Sequence, residues 1–433
     1  MIHKVGIIGL GAMGKAYALR LANAGHSIIA CDLPHNYEHA KAALVHDNIE
    51  VVRDGHMVSR VCDYIIYSVE ASNIDKVVAT YGPSTKVGAC VGGQTSCKAP
   101  EIAAFEKHLP TDVEIVSIHS MHGPGVDPRG QPLAIISHRA SAATTAEVCR
   151  VMECFESTFV FLTAQEHDLI TADVQAVTHM AFLTMGTAWK ANKQYPWNTS
   201  RYVFGLENAK TNIALRIYSN SWHVYAGLAI LNPAAHVQTV RYATSVTELF
   251  KLMVMGEKQQ LRDRLYAARK FVFDKVMTSS EHSLLLEDEL LGRFSLSTEA
   301  AAERTPNSHL SIISIVDCWY QSKIIPYDHV ICSTPLFRIL LGVTEYLFMS
   351  PGLLDKCIED AFSSLSYRED DLEFVISARS WATVVSNADF DGYKRMFKEA
   401  QKYFEHMLPE ATKIGNEMIK AINDHRPPPS TLQ

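Results

Sequence analysis

Short apolar runs alternate with amphipathic stretches through the first third of the chain. Apolar runs bounded by glycine, proline or polar residues are typical of buried strands, whereas a 3.6-residue apolar period is typical of helices. The runs that predict strands are Lys4–Ile8, Ser27–Cys31, Asp63–Val69, Val87–Val91, Val113–Ile118 and Pro132–Ser137. Helical or turn-rich stretches separate them, so the sequence predicts a doubly wound α/β domain of the Rossmann type over residues 1–163.

The pattern changes near Glu166, where long amphipathic helical stretches with few strand signals begin. This half also contains two related segments, in each of which a hydroxyl residue and a histidine precede a tryptophan and a proline at equal offsets. The matching sets are Thr178, His179, Trp189 and Pro196, and Ser308, His309, Trp319 and Pro326. We predict an all-helical, duplicated region with domains at 164–295 and 306–425 and a flexible tail at 426–433. A chance match is the alternative.

Composition and charge exclude several functional classes. A formal net charge of −7, a pI near 6.3 and the lack of a long Lys/Arg run indicate that no nucleic acid is bound. The nine cysteines include no C-x-x-C pair, which favours reduced thiols over disulfides or a metal site. No apolar window approaches the length of a membrane span. A cytoplasmic protein without metal or membrane contact is therefore expected.

A G-x-G-x-x-G motif lies between the first predicted strand and a helical stretch. It consists of Gly9, Leu10, Gly11, Ala12, Met13 and Gly14. The first glycine permits a tight turn, the second lets the backbone approach a pyrophosphate, and the third lets the helix lie close to the strand. Asp32 ends the next strand, where an acidic side chain binds ribose hydroxyls, and Ser68 and Val69 end the third. A dinucleotide site is predicted, with a ligand-free glycine turn as the alternative.

Two loops after later strands carry side chains suited to catalysis. Ser96 and Lys98 follow the fourth predicted strand, and His119 follows the fifth. Ligands of doubly wound sheets lie at the carboxyl ends of the strands, so these side chains are expected at the nicotinamide end of the cleft. A neutral imidazole is suited to accept a proton near pH 7. The alternatives are a structural turn histidine and a helix cap at Ser96 and Lys98.

Several segments together resemble the prephenate dehydrogenases, most closely the fungal form. They are Ile8–Gly14, Thr95–Lys98, His119–Pro124, Glu166–Asp168, Gln175–His179 and Leu215–Ile217. The resemblance covers nearly the whole chain. It implies oxidative decarboxylation of prephenate to 4-hydroxyphenylpyruvate, with hydride transfer to NAD(P)+, in tyrosine biosynthesis.

The resemblance also implies roles for individual residues. His119 would be the catalytic base, and Ser96 would hold its other ring nitrogen or the substrate hydroxyl. Arg216 would bind a substrate carboxylate, with His179 and Lys98 also at the substrate. Without the resemblance, Arg216 is an ordinary surface cation and His179 an ordinary buried histidine.

The chain departs from the family pattern at two positions. Ser120 stands where the family usually has proline, and Phe182 stands where some bacterial relatives have a second histidine.

Sequence and resemblance disagree about the cofactor. Asp32, followed by Leu33 and Pro34, favours NAD, because a carboxylate repels a ribose phosphate. The fungal resemblance implies NADP, whose phosphate would then meet His35 or Lys41. We expect NADP, with NAD as the alternative.

The family's helical domain forms dimers, so the duplication predicts either a monomer with an internal pseudo-dimer or a homodimer. In the pseudo-dimer, His309 and Arg338 would be vestigial or structural. Three other functions stay open: an arogenate dehydrogenase, a dinucleotide sensor without catalysis, and a β-hydroxyacid or phosphogluconate-type dehydrogenase. The last of these lacks a convincing helix-borne lysine here.

Overall fold

The structure is a computed structural model that describes residues 2–198, 206–278, 306–363 and 368–424. The chain divides into two compact units between Thr171 and Ala172. This division lies after residue 163, where the sequence placed the first boundary, because the helix Ala164–Thr171 packs on the helix Lys98–His108 of the first unit. The predicted tail at 426–433 and most of the stretch between the two predicted copies lie outside the described residues.

The first unit is built on one sheet with helices on both faces. Its strands are β1 (Lys4–Ile8), β2 (Ser27–Cys31), β3 (Ile49–Val51), β4 (Tyr64–Tyr67), β5 (Cys90–Gly93), β6 (Glu114–Ser120), β7 (Pro132–Arg139) and β8 (Thr158–Phe161). Its α-helices are α1 (Ala12–Asn23), α2 (Tyr37–Ala43), α3 (Gly55–Ser59), α4 (Ile74–Tyr81), α5 (Lys98–His108), α6 (Ala142–Met152) and α7 (Ala164–Thr171).

The strand order is β3-β2-β1-β4-β5-β6-β7-β8, and all neighbours are parallel except β6 and β7. Successive side chains of a strand point to opposite faces, and the strands accordingly feed two separate apolar clusters. One cluster joins the sheet to α1, α2 and α6, and the other joins it to α3, α4 and α5. The predicted doubly wound α/β domain is confirmed.

Two details of the sheet differ from the sequence prediction. The short outer strands β3 and β8 were missed, because three or four partly exposed residues give no long apolar run. Strand β6 also continues through Ser120, so His119 lies on the strand and not after it. Its side chain is thus fixed by the antiparallel pairing of His119 with Ala134.

The second unit is helical in its described parts. A π-helical turn, Ala172–Ala176, leads into α8 (Val177–Ala191), α9 (Leu206–Tyr218), α10 (Trp222–Leu231), α11 (Pro233–Met255) and α12 (Lys258–Thr278). After residue 305 come α13 (Leu310–Ser322), α14 (Pro335–Met349), α15 (Leu353–Ser363), α16 (Arg368–Ser386), α17 (Phe390–Tyr403) and α18 (Leu408–Asp424). Short 3₁₀ turns follow α8 at Pro196–Asn198 and α13 at Pro326–Cys332.

The order of elements repeats along this unit, and the two series pack crosswise. In each series a buried helix, a 3₁₀ turn that starts at proline and a second helix precede a short and then a long helix. Helix α8 packs on α16 of the later series, α13 packs on α11 of the earlier one, and α11 and α16 pack on each other. This exchange supports the predicted duplication. The limits of the two copies stay a prediction, because residues 279–305 lie outside the described part.

One buried ion cluster joins the two series. Glu207 on α9 accepts hydrogen bonds from Lys210 Nζ at 2.7 Å and Asn307 Nδ2 at 3.2 Å, and His309 Nδ1 lies 3.3 Å away. Burial would raise the pKa of Glu207, but the neighbouring Lys210 and His309 lower it to about 2. His309, the counterpart of His179, therefore has a structural contact between the series.

Neither membrane nor metal features stand out in the described ranges. There, no single helix is long and apolar enough to cross a membrane; the bent pair α14 and α15 meets that test by length and composition alone. No cluster of three or more His, Cys, Asp or Glu side chains in these ranges could hold a metal ion.

Candidate functional site

The glycine motif forms a turn in which a side chain is excluded at two positions and tolerated at a third. Gly9 has a φ of +102°, and a Cβ there would lie 2.3 Å from the backbone oxygen of Ser68. A Cβ on Gly14 would lie 2.1 Å from the oxygen of Gly9, whereas one on Gly11 would meet nothing within 4 Å. Gly11 thus leaves open space in front of the turn, which a phosphate can occupy.

The start of α1 is also suited to an anion. Its N-cap is Gly11, so no side chain caps the first turn, and no acidic residue lies in that turn. The backbone N–H groups of Ala12 and Met13 lie in this turn, where free N–H groups and the helix dipole favour a phosphate. The residues present therefore fit a dinucleotide, as the sequence predicted.

The other predicted cofactor residues lie at the same edge of the sheet. Ser68 donates its N–H to Ile8 at 2.8 Å, and Gly9 donates its N–H to Cys31 at 2.9 Å, which fixes the ends of β1, β2 and β4 to one another. Asp32 follows β2 and accepts the N–H of Leu33 at 2.8 Å. Val69 follows Ser68 beside Gly9.

His119 is the first member of a buried hydrogen-bonded chain. Its Nδ1 lies 2.8 Å from Nε2 of His167, and Nδ1 of His167 lies 2.9 Å from Oδ1 of Asp168. All three residues are buried, and His119 is only 8% exposed. Burial lowers the pKa of His119 well below its usual value of 6.5, and the neighbouring His167 and Lys98 lower it further.

The charges of this chain fix which ring nitrogens carry hydrogen. Although burial raises the pKa of Asp168, the hydrogen bonds from His167 and from the backbone lower it, so its carboxylate is ionised and only accepts. His167 must then donate from Nδ1 and, being neutral because burial lowers its pKa, accept at Nε2. His119 in turn donates from Nδ1, which leaves the lone pair on Nε2. This nitrogen is the one available as a base.

Asp168 also caps the helix that follows β5. Its carboxylate accepts the backbone N–H of Lys98 at 2.6 Å and of Ala99 at 2.7 Å. These are among the first N–H groups of α5, which no residue within that helix can satisfy. From the sequence, Glu166–Asp168 stood out only as part of a resemblance, and neither His167 nor Asp168 had a role. Their partners are about 48 and 70 residues away in the chain, so no local signal existed.

Lys98 does not face open space as a substrate contact would. Its side chain is 0% exposed, and its ammonium donates to the backbone oxygens of Gly93 and Ile118 and to Glu101 at 2.8 Å. An ammonium has three donors, so none is left for a substrate carboxylate. The structure thus corrects the predicted substrate contact: Lys98 balances the charge of Glu101, whose carboxylate also accepts from Thr95 and Ser117.

Ser96 lies in the bend between β5 and α5 and is half-buried. One of its two predicted roles was to hold the second ring nitrogen of His119, but His167 occupies that position. Its alternative as a cap of α5 is also taken, because Asp168 accepts the first N–H groups of that helix. A contact between Ser96 and the substrate hydroxyl stays a prediction.

Within the second unit, Arg216 and His179 belong to one polar cluster. Arg216 donates to the amide oxygens of Asn220 at 3.1 Å and Asn416 at 3.2 Å. Asn220 Nδ2 donates to Tyr225 Oη at 2.8 Å, and the Tyr225 ring meets the His179 ring edge-on, with centroids 4.7 Å apart. The sequence pointed to Arg216 and His179 but gave no signal for Asn220, Tyr225 or Asn416.

The two predicted substrate residues of this cluster have opposite electrostatic character. Both hydrogen-bond acceptors of Arg216 in the described ranges are neutral amides, so its charge remains available to an anion. His179 is neutral, because burial lowers its pKa to about 3. It lines a cavity of about 10 Å³ together with Leu183, Trp381 and Tyr393.

Comparison with known proteins assigns the family. A family profile described as a 6-phosphogluconate dehydrogenase C-terminal domain matches residues 176–424, and one for NADP oxidoreductases that depend on coenzyme F420 matches residues 4–91. The chain is 57% identical over 431 residues to the prephenate dehydrogenase (NADP+) of Saccharomyces cerevisiae, covering 97% of this chain and 94% of that protein. This chain belongs to the prephenate dehydrogenase family. The predicted resemblance is thus confirmed.

Further relatives agree with this assignment. The probable prephenate dehydrogenase (NADP+) of Schizosaccharomyces pombe is 55% identical over 419 residues, which cover 97% of both chains. A solved structure of prephenate dehydrogenase from A. aeolicus, in complex with hydroxyphenyl propionate and NAD+, has a TM-score of 0.50 at 19% identity. It covers 64% of this chain and 98% of that one. At that identity the likeness shows the fold alone.

Replacing Lys98 tests its assignment as a structural charge. Lys98→Met leaves the buried Glu101 unpaired, so we expect the free energy of unfolding in urea to fall by about 3–5 kcal/mol. Lys107→Met is the control, because Lys107 lies on the same helix but is 64% exposed in its ion pair with Asp75. A stable Lys98→Met protein with weakened substrate binding would instead restore the contact predicted from sequence.

Proposed function

We propose that the protein is an NADP-dependent prephenate dehydrogenase that oxidises and decarboxylates prephenate to 4-hydroxyphenylpyruvate in tyrosine biosynthesis. The observation that carries this proposal is the chain His119–His167–Asp168, which holds a neutral imidazole with a free Nε2 lone pair. The names of the Saccharomyces and Schizosaccharomyces relatives support both the reaction and the cofactor.

The reaction needs a base for one hydroxyl group. Prephenate carries a hydroxyl on one ring carbon and a carboxylate on the opposite one. When bound, NADP+ accepts the hydride that leaves the hydroxyl-bearing carbon. His119 Nε2 takes the hydroxyl proton at that stage, and the carbon becomes a carbonyl. Loss of CO2 then returns an electron pair to the ring, which becomes aromatic, and His119 gives the proton back to the phenolate oxygen.

His167 and Asp168 make this proton transfer easier. When His119 accepts the proton, its Nδ1 hydrogen remains bonded to His167, whose ring in turn is bonded to the ionised Asp168. The carboxylate therefore stabilises the positive charge through two hydrogen bonds, as in other imidazole bases oriented by an acid. Both histidines and the carboxylate are held by the first unit alone, so this chain is preorganised.

Arg216 provides the positive charge that a dianionic substrate requires. A guanidinium binds a carboxylate in a bidentate manner, and the neutral partners Asn220 and Asn416 orient it without cancelling its charge. We assign the binding of one prephenate carboxylate to Arg216, with His179 as a neutral neighbour linked through Tyr225.

Two alternatives to this function remain distinct. Arogenate dehydrogenation uses the same base and hydride transfer, so the relative turnover of prephenate and arogenate separates the two. A non-catalytic sensor would bind the dinucleotide and turn over neither substrate.

The remaining sequence predictions belong to the same proposal. The crosswise packing of α8 with α16 and of α13 with α11 supports a monomer with an internal pseudo-dimer, with a homodimer as the alternative. Light scattering on the purified chain decides between these. We also propose a cytoplasmic location, in line with the unpaired cysteines.

The central test follows NADPH absorbance with the purified chain, prephenate and NADP+. We expect turnover, and we expect His119→Asn to lower kcat by about 10²- to 10⁴-fold, because a positioned base is lost. Binding of NADP+ and the far-UV circular dichroism spectrum serve as folding controls. Full-speed turnover by the folded His119→Asn variant would refute the assignment of the base.

His167→Phe tests the second histidine. The ring keeps its shape but can no longer accept from Nδ1 of His119, so we expect kcat to fall by about 10- to 100-fold. The KM for NADP+ should stay unchanged. His138→Phe is the control, since His138 lies half-exposed on β7 in a pair with Glu106. Equal kcat values for both variants would show that His167 does not position the base.

Arg216→Gln tests the anion site. We expect the KM for prephenate to rise by about 10- to 100-fold, because a charged hydrogen-bond donor is lost. Arg395→Gln, at an exposed arginine of α17, should leave KM unchanged. A raised KM for NADP+ with an unchanged KM for prephenate would contradict the assignment.

The pH dependence follows from the lowered pKa of His119. The neutral imidazole is the active form, and it is lost only as pH falls through its pKa in the folded protein. Since that pKa lies well below 6.5, initial rates of kcat/KM should hold through pH 6.5 and fall only on further acidification. An acid limb centred at or above 6.5 would show that another group controls the rate.

A further inference from the structure

The ends of β2 and β3 bring an acidic and a basic side chain together at the dinucleotide edge of the sheet. The two strands are parallel, with Ala30 paired to Val51, and Val52 donates its N–H to Ala30 at 2.8 Å. The same register continued by two residues sets Arg53 beside Asp32. Neighbouring strands lie about 5 Å apart, so the two residues start from adjacent positions.

The Arg53 guanidinium is held in place by the segment that follows Asp32. Its Cζ lies 4.1 Å above the centre of the Tyr37 ring, and its Nη2 donates to Glu38 at 2.8 Å. The side chain is 68% exposed, so the face away from Tyr37 is open. A guanidinium has five N–H donors, and the contact with Glu38 uses one of them. The others are free to meet an anion.

This arrangement answers a conflict between the sequence and the proposed cofactor. Asp32 ends β2, where a carboxylate binds the adenosine ribose and repels a 2′-phosphate. Leu33 and Pro34 follow it, so the positions directly after Asp32 supply no cation. Arg53 comes from the neighbouring strand instead, and only the pairing of β2 with β3 brings it there.

We propose that Arg53, stacked on Tyr37, binds the 2′-phosphate of NADP+ and gives the chain its preference for NADP+ over NAD+. The inference rests on the NADP part of the proposed function. Planar stacking fixes the guanidinium, and a fixed guanidinium binds phosphate with two parallel hydrogen bonds. Lys41, whose Nζ lies 5.9 Å from the same ring centre, adds positive charge to this surface.

Glu38 has the opposite effect on the same ligand. Its carboxylate pairs with Arg53 and adds a negative charge beside the incoming phosphate. A phosphate on Arg53 must compete with Glu38 or tolerate it. Removing this carboxylate should therefore strengthen the binding of NADP+, whereas removing the guanidinium should weaken it. An ordinary surface ion pair would change the binding of neither dinucleotide.

Equilibrium binding of NADP+ and of NAD+ to the full chain, measured by calorimetry without prephenate, tests the inference. We expect Arg53→Gln to raise the Kd for NADP+ by about 10- to 100-fold and to leave the Kd for NAD+ within about twofold. Arg53→Lys keeps the charge but not the fork, so its Kd should fall between those of Arg53→Gln and the unchanged chain. Glu38→Gln should lower the Kd for NADP+ by about two- to fivefold.

Arg150→Gln is the matched control. Arg150 is also exposed in the first unit and paired with a glutamate, Glu147, but it lies on α6. The loss of NADP+ affinity in Arg53→Gln should also shrink as salt rises, because it reports a charge contact. Equal weakening of both dinucleotides by Arg53→Gln, or no weakening at all, would overturn the inference.

The binding arm separates this inference from the proposed function. An unchanged chain that prefers NADP+ through Arg53 but does not turn over prephenate would leave the inference standing and remove the proposed reaction. An unchanged chain that binds NAD+ as tightly as NADP+, or binds neither, would remove the inference whatever its activity.

Discussion

The carboxylate of Asp168 connects the parts of the first unit on which the chemistry depends. It accepts two backbone N–H groups at the start of α5 and the Nδ1–H of His167. The first contacts fix the helix that carries Lys98 and Glu101, and the last fixes the tautomer of His167 and hence of His119. An ionised carboxylate is tolerated in this buried place only because all these donors surround it. Its ionisation decides which nitrogen of His119 is the base.

A second buried charge pair supports the same site from below. Lys98 and Glu101 are both 0% exposed, and their remaining donors and acceptors are satisfied by Gly93, Ile118, Thr95 and Ser117. These contacts join β5, β6 and α5 around the strand that bears His119. A buried pair of this kind stabilises little by itself, but it is costly to break, so it fixes one arrangement of the strands. The site is thus rigid because its charges are paired.

The helical unit solves a different problem within one chain. Its two series of helices exchange partners, so that α8 rests on α16 and α13 rests on α11. The later series keeps a histidine, His309, at the place of His179, but this histidine meets Glu207 of the earlier series. His179 instead lies against Tyr225, in contact with the cluster that contains Arg216. One series therefore carries the proposed anion site, and the other buries its apolar faces.

Local patterns determined the elements and much of the residue list. The apolar runs predicted the main strands, the spacing of Gly9, Gly11 and Gly14 predicted the turn, and single residues such as His119 and Arg216 stood out by type and motif. These features are local, because strand burial and turn geometry are set by neighbouring residues. Tertiary structure alone decided the rest. It assigned the second nitrogen of His119 to His167 and not to Ser96, turned Lys98 from a substrate contact into a buried counter-ion, and set Arg53 beside Asp32. Each of these depends on pairing between segments far apart in the chain, and burial then determines which charges must be matched and which stay available.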